Sequence, residues 1–148
     1  MAYTSVIDVM LLLIRDGTVL LAERSGTGFA DGYFNCPSGK VEQGEDVAAA
    51  LCREAREEVG LHLHPGSLVL ASTVHFRNEY SDARLGLFFH APSWQGEPVN
   101  AEPHKCARID WFPLNALPDN TYPYTRVGID LYRTGRNFAV SGWTTDPG

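Results

Sequence analysis

The sequence predicts an α+β fold, a mixed α/β arrangement in one domain over residues 1–148. Three observations lead there. Short apolar runs flank a single amphipathic stretch centred on residues 47–59. Turn signals such as Asp16-Gly17 separate neighbouring runs. The resulting order of strand, strand, helix, strands, helix belongs to α+β or mixed α/β architectures.

In chain order, residues 5–14 read as a buried strand, and Asp16-Gly17 turns it into a second strand at 18–23. Residues 25–32, with Gly26, Gly28 and Gly32, form a loop. A short strand at 33–36 is closed by Pro37-Ser38-Gly39. The helix starts at Glu45 or Asp46 and ends near Val59, with Gly60 as its C-terminal cap. Strands at 67–77 and 84–91 enclose a turn at 78–82. In the second of these, Leu85, Leu87 and Phe89 are expected on the deeply buried face. A loop at 93–103, a strand at 107–112 and a turn at 113–118 follow. Pro123 opens a second helix running to Arg133, stopped by Gly135, and residues 137–143 form a last strand.

Composition sets limits on function. A chain of 148 residues with 44% hydrophobic residues has room for one sizeable core. It has no apolar run of membrane-spanning length and no basic-flanked signal segment. Three cysteines, Cys36, Cys52 and Cys106, cannot all pair with one another, and no C-x-x-C occurs. A reducing, cytoplasmic setting is expected, with no structural zinc. His62 and His64 lack a third ligand nearby and read as surface residues. The net charge of −6 and the absence of a basic cluster argue against a polynucleotide partner.

The helix carries the chemistry. At 100° per residue and with Val47 at zero, Glu57 falls near 280°, Glu54 near 340° and Glu58 near 20°. The three carboxylates share one strip beside the apolar stripe of Leu51, Ala55, Ala48, Val59 and Cys52. Like charges at i, i+3 and i+4 repel. A hard divalent cation turns that repulsion into binding, because oxygen ligands are what Mg²⁺ takes. Arg53, one turn before Glu57, can clamp these carboxylates by charge-assisted hydrogen bonds.

Gly39, Glu45, Arg53, Glu54, Glu57, Glu58, Gly60 and Leu61 match the pattern G-x5-E-x7-R-E-U-x-E-E-x-G-U, where U is aliphatic. Ala55, at the first aliphatic position, is smaller than usual. On these residues the chain resembles the Nudix hydrolases. The resemblance implies an α/β/α sandwich with a mixed sheet between helices. It also implies hydrolysis of a diphosphate linkage with Mg²⁺ or Mn²⁺. By motif position, Glu57 and Glu58 are the expected metal ligands, Glu54 a ligand or the general base, and the Ser38 carbonyl a further ligand. Gly39, Glu45 and Gly60 are expected to be structural; Glu45 ties down the loop, and Gly39 and Gly44 free its backbone.

Outside the box, Gly96-Glu97-Pro98 followed by Glu102 is similar to the MutT-type enzymes, which place a loop metal ligand or base there; Glu79 is a weaker competitor. Asp119 and Asn120 occupy the region where purine-reading relatives set an Asn or Asp against the base. Phe29, Tyr33, Tyr122 and Tyr124 could stack on a base, and Arg24 and Arg77 could meet phosphates. The expected substrate is a small nucleotide, foremost a nucleoside triphosphate, and the expected protein a monomer or homodimer. ADP-ribose or a nucleotide sugar is the alternative substrate, and a non-catalytic nucleotide-binding module the alternative role. An isopentenyl diphosphate isomerase-like reading needs a longer chain and a catalytic cysteine and glutamate that have no counterpart in the sequence.

Overall fold

A computed structural model describes residues 1–143. Its centre is β1 (Val6–Leu12), an apolar strand buried on both faces. On one side β1 pairs antiparallel with β5 (Ser38–Lys40), and on the other in parallel with β7 (Ala83–His90). Strand β7 pairs antiparallel with β6 (Val69–Arg77), and β6 in parallel with β9 (Phe138–Ser141). A smaller sheet holds β2 (Ile14–Arg15), β3 (Thr18–Arg24) and β4 (Phe34–Asn35), with β8 (Cys106–Pro113) on the other edge of β3.

Two helices cover the opposite faces, giving the expected α+β sandwich. Val9, Leu11 and Leu13 pack with Ala50, Leu51, Ala55 and Val59 of α1 (Val47–Val59). Met10 and Leu12 pack with Val74, Phe88, Ile129 and Leu131 on the side of α2 (Pro123–Arg133). The alternation of a strand sends successive side chains to the two cores. Each core side chain removed from water contributes roughly 1.5–3 kcal/mol.

Two sequence expectations change here. The segment Ser38–Lys40 is a strand and not merely the close of a turn, because β1 supplies its partner. On β7, Gly86 and Phe88 are the buried pair under α2, whereas on the other face Phe89 is buried as expected but Leu85 and Leu87 are only half-buried. That burial depends on close approach: a Cβ on Gly128 of α2 would run into the Phe88 ring. Gly128→Ala is expected to lower stability by about 1–2 kcal/mol, since overpacking outweighs the better helix propensity of alanine. Urea unfolding of the two proteins measures it, and an unchanged midpoint contradicts the packing argument.

Candidate functional site

Helix α1 is held at both ends. The Asp46 carboxylate accepts from Ala49 N at 2.8 Å, and Gly60 adopts φ 69°, a left-handed cap that side chains disfavour. Past the cap, Val99 N donates to Val59 O at 3.0 Å and Ala101 N to Glu58 O at 3.1 Å. These bonds stitch the loop to the helix end and bring Glu102 into the wall of the same cleft as Glu54, Glu57 and Glu58.

The three helix carboxylates do not share one environment. Ala50 is fully buried as well as Leu51, so Glu54 and Glu58 project from within the buried arc and not beside it. Glu57 stands at the outer edge, its side chain 52% exposed against 14% for Glu54. The stripe expected from the sequence is corrected accordingly: Ala48 and Cys52 are half-buried, and Ala50 joins the core.

Arg53 organises the polar side. Its Nε and Nη2 donate to the two oxygens of Glu45 at 3.1 and 2.7 Å, and Nη1 donates to Glu54 at 2.7 Å and Glu57 at 3.3 Å. Nη2 also donates to Lys40 O at 3.2 Å. Glu45 in turn accepts from Glu42 N at 2.9 Å, which ties the loop before the helix. The Arg53 bond, with the Glu42 N–H, holds the Glu45 carboxyl down at about 2.

Glu58 lies on the other side, accepting from Ser38 N at 2.9 Å. Burial pushes its carboxyl up to about 8; the Ser38 N–H and Arg24 pull it down, and Glu54 and Glu102 push it further up. Burial also raises Glu54, against the pull of Arg53. Leu11 N to Pro37 O and Val41 N to Ile7 O mark the residues of this segment that bond to β1. Ser38 therefore turns its N–H and C=O away from β1, and the N–H meets Glu58. Gly39 is a neighbour of the same kind as Gly128: its φ is unremarkable, but a Cβ would run into the Glu54 carboxyl. The expectation that Gly39 frees the backbone is corrected. Gly44, expected in the same role, does adopt a left-handed φ of 90°.

Among the described residues, no three histidine, cysteine or acidic side chains converge as a ready metal cage. Arg53 holds Glu54 and Glu57, while Ser38 holds Glu58. The donor set still suits a hard divalent cation. It is all oxygen, and burial, with the neighbouring carboxylates adding to it, raises the carboxyls of Glu54 and Glu58, so a cation placed among them would favour their charged form.

The cleft holding these groups measures about 910 Å³, and Lys40, His104 and Lys105 add basic side chains to its wall. It adjoins a second cavity of about 420 Å³. Arg24, Asn35, Ser38, Gly39 and Lys40 line both. Arg24 donates to Phe29 O at 2.8 Å and lies 5.8 Å from the Phe29 ring centre. Phe29 is 39% exposed at the second cavity and packs edge-on to Tyr122 at 6.0 Å. Tyr33 meets Tyr122 edge-on at 5.8 Å but lines neither cavity.

Asp119 and Asn120 also lie outside both linings. The Asn120 side-chain amide donates to Gly32 O at 2.7 Å, and its backbone carbonyl accepts from Phe34 N, so it braces the loop at 25–32. Glu79 accepts from the Tyr122 hydroxyl at 3.5 Å, away from the carboxylate cleft. Arg77 sits over Trp143, and His62 and His64 are exposed. Tyr124 is a core residue, stacked on Phe76 at 4.5 Å.

Sequence reasoning missed Asp8 and Arg84. Asp8 is 6% exposed and accepts from Arg84 Nε and Nη2, each at 2.7 Å, and from the Tyr124 hydroxyl at 3.0 Å. All three residues line the second cavity. The one available signal was an aspartate interrupting an otherwise apolar strand.

Residues 4–132 match the NUDIX domain family. The NAD-capped RNA hydrolase NudC of Stutzerimonas stutzeri is 36% identical over 109 residues, covering 74% of this chain and 37% of that protein. The chain thus spans well under half the length of that relative. The CTP pyrophosphohydrolase of Escherichia coli is 34% identical over 128 residues, covering 84% of this chain and 87% of its own. The crystal structure of a MutT NUDIX hydrolase from Burkholderia pseudomallei superposes with a TM-score of 0.79 at 28% identity, covering 86% of this chain and 98% of the other. With the match across most of its length and the box carboxylates Glu54, Glu57 and Glu58 gathered in one cleft, the chain belongs to the Nudix hydrolase family.

Proposed function

We propose that the chain is a metal-dependent pyrophosphohydrolase of nucleoside triphosphates, releasing a nucleoside monophosphate and pyrophosphate. The observation that carries this reading is the junction of a carboxylate-lined cleft with a cavity walled partly by aromatic rings. Phosphates fit the first and a base the second, with Arg24 and Lys40 at the join. A relative named as a CTP pyrophosphohydrolase, matched over 87% of its own length, supports a small nucleotide substrate.

Glu54, Glu57, Glu58, Glu102 and the Ser38 carbonyl would hold Mg²⁺ or Mn²⁺. When bound, such a cation neutralises phosphate oxygens and acidifies water. Arg53 fixes the orientation of Glu54 and Glu57 before substrate arrives, as a positioning residue. A carboxylate of the set accepts the proton of the attacking water as a P–O anhydride bond breaks and pyrophosphate departs with its electron pair. Lys40, Lys105 and Arg24 offset the charge of the bound phosphates.

Pyrophosphate release is the test, measured with canonical and oxidised nucleoside triphosphates, ADP-ribose, nucleotide sugars, dinucleoside polyphosphates and NAD-capped RNA, with and without Mg²⁺. For substrates that release no pyrophosphate, nucleoside monophosphate is followed instead. Mg²⁺-dependent turnover of a triphosphate is expected to exceed that of the other classes. Preference for capped RNA would move the reading towards the NudC relatives. Absence of turnover throughout would favour a binding module. Among the described residues no helix is long and apolar enough to cross a membrane.

A further inference from the structure

The second cavity contains a charged group that an apolar base slot does not require. Arg84 is fastened by Asp8 of β1, which also accepts from Tyr124 of α2. Gly86 is part of the arrangement, because a Cβ there would run into the Tyr124 phenol. Three elements therefore cooperate to set one guanidinium in a cavity wall.

A guanidinium has five N–H donors. Asp8 takes two, on the Nε–Nη2 side. The other three include a parallel pair at the Nη1–Nη2 end, spaced for two adjacent acceptors. We propose that Arg84 reads the nucleobase, selecting an edge with two adjacent acceptors, guanine O6/N7 or cytosine O2/N3, over adenine, uracil and thymine. This rests on the nucleotide reading above and adds the base class to it.

The selection follows from donor count. Adenine places an amino donor beside both N7 and N1, and uracil and thymine place N3–H between their carbonyls. Any of these three bases sets a donor against the guanidinium or leaves one of its N–H groups without a base partner, which forfeits the paired bond. The two amide side chains in the wall have their oxygens engaged. Asn78 Oδ1 is used by Tyr80 N and Asp82 N, both at 2.9 Å. Asn35 Oδ1 accepts from the Thr125 hydroxyl at 3.0 Å, which leaves its amide as a further donor. Asp82 is exposed, at the rim.

The experiment compares kcat/KM for GTP, CTP, ATP, UTP and dTTP with Mg²⁺. GTP or CTP is expected to exceed each of the other three by at least about tenfold, and the comparison of GTP with CTP identifies which edge is read. Equal values across the five, or ATP, UTP or dTTP first, would overturn the proposal. Binding of GMP, CMP, AMP and UMP by calorimetry separates it from the hydrolytic reading. Tenfold tighter GMP or CMP binding without any turnover keeps base selection and rejects the activity; monophosphates bound alike reject base selection. Arg84→Lys retains the charge facing Asp8 but lacks the planar fork. It is expected to shrink the preference over ATP at least about fivefold with little change in Tm. An undiminished ratio in that variant also overturns the proposal.

Discussion

Glu58→Gln is expected to lower hydrolysis at least about 100-fold while stabilising the metal-free protein at pH 8. The two effects share one cause. Glu58 is held in a partly buried place among Glu54 and Glu102, with its carboxyl pushed up to about 8 from an ordinary value of 4.5. Below pH 4.5 the group is neutral in folded and unfolded chains alike. Between 4.5 and 8 the unfolded chain releases the proton that the folded one keeps, so stability falls as pH rises through this window. The loss is on the order of 1–3 kcal/mol after allowing for the solvent that still reaches the carboxyl. Glutamine carries no charge to bury and still accepts from Ser38 N. Urea unfolding in EDTA at pH 5 and pH 8 should show a decline for the parent and a flatter response for the variant. Parallel declines would refute the assignment to Glu58. Added Mg²⁺ should recover the parent at pH 8 and leave the variant nearly unmoved. Glu45 acts in the opposite direction: its carboxyl, held at about 2, supports the fold above pH 4.5 and withdraws that support as pH falls towards 2.

Gly39→Ala should cost about 1–3 kcal/mol of stability and at least about tenfold in rate. Backbone strain is not the reason, because Gly39 has no left-handed φ. The added methyl would occupy the place of the Glu54 carboxyl and push it off Arg53. Shortening that side chain separates the two consequences. In Gly39→Ala/Glu54→Asp the carboxyl retracts by one methylene, so stability should return while the rate stays low. A double variant no more stable than Gly39→Ala alone would show that the collision lies elsewhere.

The box was legible because its chemistry is local. Asp46 and Gly60 announce the ends of α1, and Arg53 reaches its carboxylate partners within one segment of chain. Gly39 was recognisable as a fixed position but not for its reason, since its contact with Glu54 exists only once β5 lies against α1. Strand β5 itself was hidden: Ser38-Gly39-Lys40 has no strand propensity, and only the hydrogen bonds offered by β1 make it one. The second buried face of β7 was missed because α2, contributed much later in the chain, covers Gly86 and Phe88. Arg84 and Asp8 lie 76 residues apart, and nothing periodic links them. Asn120 looked like a base reader by position, yet its amide is engaged with Gly32.

Strand β1 carries Asp8 buried near its start and, through Met10, faces Ser38 across the β1–β5 pair. The floors of both cavities are thus attached to a strand clamped between two cores, and its amides should be among the slowest to exchange with deuterium. A ligand settling there meets backbone already ordered before it arrives. The entropy of association is then lost mainly by the ligand itself and by the side chains at the rim. Phe29 and Lys105, exposed at the rims, have more freedom to lose than the strand.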